Sequence, residues 1–459
     1  VNLLLIVIDS LRADRLSCLG HSRPTSPTLD GLAERGCLFS EFFTPTTPTH
    51  PAVTSLFTGQ HPLTHGVLTR SDRLALPADA PWFPEVLAAA GFDTAAVDHI
   101  VSKGRWTWFA RGFQSYVNLR SRDEYIDCFR MNRAAIDWLR ERGRRPFFLY
   151  IRYGDTHTPY LPPTKYRGLF YTGDPTTTNR GSLDGFYDSP LKSVVVTGLG
   201  TLAAEWPGSR GRRIEDLEFV RAQYDAEIRV ADDGVAELLG ELERQGRADD
   251  TLVAILGDHG ESLGEHGIYF EHHGLYDNVL RPPLILCGPG VPRGRRIDAP
   301  TLLTDVAPTV LELLGFATQE GVEGRSLVPY LAAGAARFHS QVLAVECTWM
   351  AKWALRKNGF KVIVSREPDF YGNPPVELYD LGSDPGENRN LAEERPDLRD
   401  ALVEDLESEI ARRLAALGRS VDPVRAHGSI RDKIFRKPSF QRRMKRLVRS
   451  LLAPPPIRE

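Results

Sequence analysis

Four apolar runs in this chain stop short at polar residues: "LLLIVI" before Asp9, "TAAV" before Asp98, "FFLYIR" ahead of Asp155 and His157, and "TLVAILG" before Asp258. Such runs leave no polar face for water, so they read as strands covered on both sides. Helical patterns lie between them. "SPTLDGLAERG" opens with a capping signal and closes at Gly36, and "FVRAQYDAEIRVADDGVAELLGELERQG" is a long amphipathic run closed by Gly246. Buried strands separated by helices predict an α/β domain on a mostly parallel sheet. Ligands of such sheets gather beyond the carboxyl ends of the strands, so the polar residues named above are expected along one edge.

A chain of 459 residues, 42% hydrophobic, can fill a large core and two or three domain-sized units. The α/β pattern occupies residues 1–335. Within it, 166–215 is rich in Gly, Thr and Ser and nearly aperiodic, which suits an inserted lid or pocket wall. From 336 to 418 the runs "VLAVECTW", "WALRKNGFKVIVS" and "VELYDLGSDP" precede a helix from about 396 to 417, predicting a smaller α+β subdomain with an antiparallel sheet. Residues 419–459 form a basic amphipathic tail. Its segment 425–459 holds eleven Lys/Arg against Asp432 and Glu459, a balance of +9 in a chain whose formal charge is −3. Phe440, Met444, Leu447, Val448 and Leu451 share one helical face among the arginines. This tail suits docking on the acidic body or on a second copy of the chain, with an anionic membrane surface as the alternative and nucleic acid disfavoured.

Cys18, Cys37, Cys128, Cys287 and Cys347 have no paired spacing, which argues against a disulfide framework and for a reducing compartment. With no signal-like opening and no apolar run near the ~20 residues of a spanning helix, the expectation is a soluble, cytoplasmic protein.

The chemistry concentrates in two places. In "GDHGESLGEHG", Asp258 and His259 end a buried strand between glycines, a donor set that suits a divalent metal taking mixed oxygen and nitrogen ligands; Asp9 offers a third. In "TPTTPTHPAVTSLFTG", Pro51 fits the first turn of a helix, which sets the Thr49 hydroxyl beside free backbone N–H groups and the positive end of the helix dipole. A hydroxyl is a poor nucleophile until a metal or a base activates it. Without that help Thr49 is a cap, and Asp258 is a cap beside a packed His259.

The segments "NLLLIVIDSLRADRLSCLG", "PTLDGLAERGCLFSEFF", "PTHPAVTSLFTGQHPLTHGV", "GDHGESLGEHG", "LYDNVLRPPLIL", "LLTDVAPTVLELLG" and "ELYDLGSDPGENRNLA" resemble, in order, the signature segments of sulfatase-like enzymes of the alkaline phosphatase superfamily. The resemblance runs from residue 2 to about 417. It implies a doubly wound sheet with helices on both faces, a small C-terminal sheet subdomain, and metal-assisted covalent attack on a sulfur or phosphorus ester. By position, Asp9, Asp258 and His259 match metal ligands, and Thr49 matches the nucleophile, itself a ligand. His157 in "DTHTPY" matches a histidine that contacts the bound anion. His272 or His273 in "EHHGLY" matches the residue that steadies the substrate or protonates the leaving oxygen. Lys103, with His99, is a weaker match to a segment reaching the anion.

Departures from the family pattern narrow the reading. Formylglycine sulfatases resemble "CxPSR" where this chain has "THPAV", and threonine cannot become that aldehyde. Ser10 follows Asp9 where a second aspartate is frequent, and His259 replaces the Asn of calcium sites. Fewer carboxylates and an imidazole favour Mn²⁺ or Zn²⁺ over Ca²⁺ or Mg²⁺. The resemblance therefore implies a threonine-nucleophile hydrolase of a small or lipid-linked ester, with phosphodiesters and phosphonates ahead of sulfates. Phosphoryl transfer to an alcohol, as in phosphoglycerol or phosphoethanolamine transferases, and a non-catalytic scaffold are the alternatives. Glu261, Glu265 and His266 are expected on a solvated helix face, His61 and His65 in a structural loop, and Trp106, Trp108 and Phe109 in core or pocket wall.

Overall fold

Along β1 (Asn2–Ile8) every residue is buried, and alternate side chains face opposite ways. Leu3, Leu5 and Val7 enter one apolar cluster, and Leu4, Ile6 and Ile8 enter another. Fully burying one such side chain contributes about 2 kcal/mol. The computed structural model describes residues 1–430 except 71–74, 102–105, 120–126, 144, 179–180, 189–198, 205, 207–211 and 332–338. Lys103 and the tail from 431 onward, including its apolar stripe, lie outside the described residues.

The central sheet also contains β2 (Cys37–Phe39), β3 (Asp93–Asp98), β4 (Ser115–Asn118), β5 (Phe147–Tyr153), β6 (Thr251–Gly257), β7 (Leu284–Cys287) and β8 (Arg295–Ile297), in the order β8-β2-β7-β6-β1-β5-β3-β4. From β6 to β4 all neighbours are parallel; β7 is antiparallel to β6 and β2. Helices α1 (Pro27–Arg35), α2 (Thr49–Thr58), α3 (Cys128–Arg140), α4 (Leu217–Arg244) and α5 (Val306–Leu313) cover both faces. Leu29, Met131 and Val230 of α1, α3 and α4 join Ile6, whereas Val53 of α2 and Val310 of α5 join Leu5. The doubly wound, mostly parallel architecture agrees with the sequence reading.

A second sheet is a meander of β9 (Gln341–Glu346), β10 (Lys352–Lys357), β11 (Phe360–Ser365) and β12 (Val376–Asp380). Leu402, Leu406, Ile410 and Leu414 recur every fourth position on α6 (Pro396–Ala416), forming the stripe that packs on Trp353, Leu355 and Val362. A fifth strand, Thr46–Thr47, pairs in parallel with β9. The stretch leading into Thr49 is therefore fixed to the second sheet at its start and to the main core through α2.

Within 166–215, Tyr166, Tyr171, Leu183 and Phe186 are buried in the cluster that includes α4, and Phe186 lies 5.4 Å from the Phe270 ring. The segment after β6 departs from expectation. Glu261, Glu265 and His266 do not share a solvated helix face: Gly264, at φ 104°, turns the chain, and only the short 3-10 turn Glu265–Gly267 forms. Glu261 is fully buried, Glu265 accepts from Leu263 N–H at 2.5 Å, and the His266 ring stacks on Tyr276 at 3.6 Å.

Candidate active site

Because β6, β1 and β5 are parallel neighbours in register, their carboxyl ends fall together: Ile8 pairs with both Gly257 and Tyr153. Asp9 and Asp258 emerge side by side. Ser10 then takes φ 63°, a left-handed backbone uncommon outside glycine, and its N–H donates to Asp258 Oδ1 at 3.3 Å. The Tyr224 hydroxyl, from α4, donates to the Ser10 carbonyl at 2.7 Å and holds that turn. His259 N–H also donates to Asp258 Oδ1, at 3.0 Å, while Asp258 Oδ2 is buried with no partner.

Thr49 is the first residue of α2, in the same turn as Pro51, and its side chain is buried. Its Oγ1 lies 3.3 Å from His259 Nε2 and 3.4 and 3.5 Å from the two oxygens of Asp9. His259 Nε2 is in turn 3.7 Å from Asp9 Oδ1 and 3.6 Å from Asp258 Oδ2. The other ring nitrogen, Nδ1, is 3.0 Å from the Gly260 carbonyl, to which it can only donate. That bond fixes the tautomer and leaves the Nε2 lone pair facing the carboxylates, as a metal-ligating histidine requires. Ligand atoms of Asp9, Asp258 and His259 all lie within 4.8 Å of one another, and among the described residues this is the only acid or histidine group of three so gathered. Separations near those observed are tetrahedron edges of about 3.4 Å for bonds of about 2.1 Å. The triad and the orphaned Asp258 oxygen fit a divalent cation.

Arg152 was not singled out by sequence reasoning. It lies on β5, buried, with Nε donating to Asp98 Oδ1 at 2.9 Å and Nη1 paired with Asp9 Oδ2. Burial works to raise the Asp9 carboxyl, but Arg152 and the imidazoles of His157, His259 and His99 override it and hold Asp9 well below the usual carboxylate range. Asp258 goes the other way, pushed up to about 6 chiefly by burial, with the Asp9 charge adding to it. The signal for Arg152 was available: one cation inside the otherwise uncharged "FFLYIRY" needs a buried counter-ion.

Three histidines extend from the triad. The His272 ring stacks on that of His259 at 4.6 Å, with His157 and His273 each 5.3 Å from His272. Thr47 ties this group to the strand before α2 by donating to the His272 carbonyl at 2.7 Å. Burial, then the neighbouring imidazoles and Arg70, push His272 far below the usual histidine range. His157 is partly exposed, and its Nδ1 donates to the Thr158 carbonyl at 2.7 Å. Asp155, at the same sheet edge, points instead to α3, where it accepts from Cys128 N–H at 3.1 Å. His61 and His65 hold local turns by accepting from Leu63 N–H and Val67 N–H. Trp106 and Phe109 are buried in the cluster with α2, and Trp108 packs beside them.

The loop carrying His259 has little room to move. Gly260 N–H donates to the Val279 carbonyl at 2.7 Å, and a Cβ at Gly260 would lie 2.0 Å from the Asn278 carbonyl oxygen. Gly260→Ala is expected to cost about 1–3 kcal/mol of stability by overpacking and to shift His259. The check is a denaturant titration beside a metal-binding isotherm, and native values in both would contradict this packing.

Comparison with known proteins gives a consistent picture. The model of the family described as Sulfatase matches residues 1–316, and that of the N-sulphoglucosamine sulphohydrolase C-terminal region matches 264–416. The chain is 26% identical over 403 residues to the multifunctional alkaline phosphatase superfamily protein PehA of Trinickia caryophylli, covering 72% of this chain and 77% of that one. It is 26% identical over 438 residues to the choline-sulfatase of Rhizobium meliloti (strain 1021), covering 85% and 82%. The crystal structure of the phosphonate monoester hydrolase of Agrobacterium radiobacter superposes with a TM-score of 0.69 at 23% identity, over 90% of this chain and 96% of that one, a likeness that establishes the fold.

Proposed function

The chain belongs to the sulfatase family, and on that premise we propose that it is a metal-dependent hydrolase of sulfate esters, phosphonate monoesters or phosphate diesters, acting through Thr49. The observation that carries this reading is the Thr49 hydroxyl at the start of α2, 3.3 Å from His259 Nε2 and 3.4 Å from Asp9. Asp9, Asp258, His259 and Thr49 would hold the ion, with Mn²⁺ or Zn²⁺ favoured by the imidazole. Bound there, a dication supplies Lewis acidity, lowering the pKa of a ligated hydroxyl and drawing charge from ester oxygens.

The remaining steps fall to side chains of this chain. Thr49 loses its proton to solvent and its Oγ1 attacks sulfur or phosphorus in line, forming a new O–S or O–P bond as the bond to the leaving oxygen breaks. Backbone N–H groups at the start of α2 bind the equatorial oxygens. His157 contacts the same anion; of His272 and His273, the proton for the departing oxygen falls to His273, since burial and its neighbours hold His272 neutral, where it steadies the substrate. Water then cleaves the Thr49 ester. The relatives' names cover both sulfate and phosphonate chemistry. With threonine at position 49, which cannot become formylglycine, the site has no aldehyde hydrate to ease release, which favours phosphorus esters over sulfates.

The test is metal removal on a panel of an aryl sulfate, an aryl methylphosphonate and a bis-aryl phosphate. Stripping with a chelator is expected to lower turnover about 100-fold or more, and Mn²⁺ or Zn²⁺ is expected to restore it. Full turnover by protein shown metal-free by elemental analysis would overturn the reading.

A further inference from the structure

Beside the triad lies a second set of buried carboxyl groups that the steps above leave unused. Glu261, Glu271 and Glu346 are 0%, 5% and 0% exposed. Among the described residues none of the three pairs with Lys or Arg. Their basic neighbours are His272, whose Nδ1 is 3.8 Å from Glu261 Oε1, and His273, 3.3 Å from Glu271 and 3.6 Å from Glu346. The nearby cations are engaged elsewhere: Arg12 with Asp14 and Glu265, Lys352 with Asp369 and Glu377.

Glu346 is satisfied by the N–H groups of Gly274, at 2.8 Å, and Met350, at 3.3 Å. Glu261 is not: the Ser10 hydroxyl beside it donates to Asp9 at 3.3 Å instead, and neither the Glu261 oxygens nor the facing His272 Nδ1 has a hydrogen-bond partner. A buried carboxyl with two idle acceptors is costly unless something that donates hydrogen bonds enters. A metal ion is a poor candidate, because the triad is the only acid and histidine group of the described residues whose ligand atoms gather within 4.8 Å. Wider spacing suits a larger cation. A primary ammonium brings three N–H donors and a full charge. A quaternary ammonium has no N–H to offer and takes aromatic faces instead.

The set stands one imidazole beyond the reacting oxygen. His259 Nε2 is 3.3 Å from Thr49 Oγ1, the His272 ring lies 4.6 Å from that of His259, and Glu261 follows. We propose that the leaving alcohol of the substrate carries a primary ammonium group, as in 2-aminoethyl or 3-aminopropyl esters, bound by Glu261 and Glu271. This rests on the reading of the protein as an ester hydrolase working through Thr49. The substrate is then a zwitterion, its anion at the triad and its cation at the glutamates.

The test compares kcat/KM of the metal-loaded protein for 2-aminoethyl and n-propyl esters of sulfate and methylphosphonate, which differ in charge at nearly constant shape, with 4-nitrophenyl esters reporting hydrolysis itself. The aminoethyl ester is expected to be preferred by about 30-fold or more, and in Glu261→Gln and Glu271→Gln the ratio is expected to fall below about 3. Equal kcat/KM for the two esters in the wild type, with 4-nitrophenyl turnover intact, overturns the inference and spares the hydrolase reading. So does a preference for the trimethylammonioethyl ester. If no ester is turned over, the hydrolase reading fails, and calorimetry of ethanolamine against 1-propanol decides the cation site by itself. Ethanolamine binding that is lost in Glu261→Gln supports the site, and no ethanolamine binding to the wild type overturns it.

Discussion

Thr49→Ala is expected to lower kcat/KM about 10³-fold or more on every ester the protein cleaves, since on the proposed reading it removes the atom that forms the covalent bond. Thr49→Ser, which keeps the oxygen, is expected to stay within about 50-fold of the wild type. The pair separates nucleophile from cap. A threonine acting only as the first residue of α2 has helical dihedrals and a side chain replaceable at small cost, so Ala would then be tolerated. Metal content is the control, because Asp9, Asp258 and His259 remain to hold an ion when the hydroxyl is gone. Acid quenching during turnover should also leave the sulfuryl or phosphonyl group on the peptide containing Thr49. An Ala variant with undiminished kcat/KM and native metal content removes Thr49 from the chemistry.

The fold was legible because its signal is redundant. β1, β5 and β6 are unbroken apolar runs, each ends at a polar residue, and parallel pairing brings those ends to one edge. Asp9, Asp258, His259 and Thr49 were therefore locatable as candidates, each by its position at an element terminus. Residues whose placement depends on tertiary contacts were less legible. Arg152 sits inside a strand, where periodicity sees only an interruption. Glu261, Glu265 and His266 follow two glycines at helix-like spacing, yet the turn at Gly264 and the ion pair of Glu265 with Arg12 decide their course. The strand Thr46–Thr47 is too short for any pattern to register, and only its partner β9 defines it.

Replacing Arg152 by Met is expected to destabilise the metal-free protein by about 3–5 kcal/mol, because it leaves two buried carboxylates without their shared cation. The guanidinium bridges Asp9 and Asp98, all three side chains are nearly inaccessible, and Met fills most of the volume, so the loss is electrostatic rather than a cavity. Denaturant unfolding reads it as a lower midpoint at unchanged slope. Adding Asp98→Leu is expected to recover part of the deficit, as replacing a buried ionic group by apolar ones often does. The pH dependence carries a sign. In the wild type Asp9 is held below the ordinary aspartate value, so its contribution to stability is fully present above that value and is lost only as pH falls through the lower folded one. Without Arg152, burial raises the same carboxyl above its unfolded value. The variant then gains relative to the wild type as pH falls from about 7 to about 5, and the gap between them narrows. As the residue that orients Asp9, Arg152 should also govern ion affinity, so Arg152→Lys, which keeps the charge but cannot reach both carboxylates in a planar fork, is expected to restore stability in part and metal affinity less. A Met variant with wild-type midpoint at pH 7 would show that Asp9 needs no counter-charge to stay ionised beside Thr49.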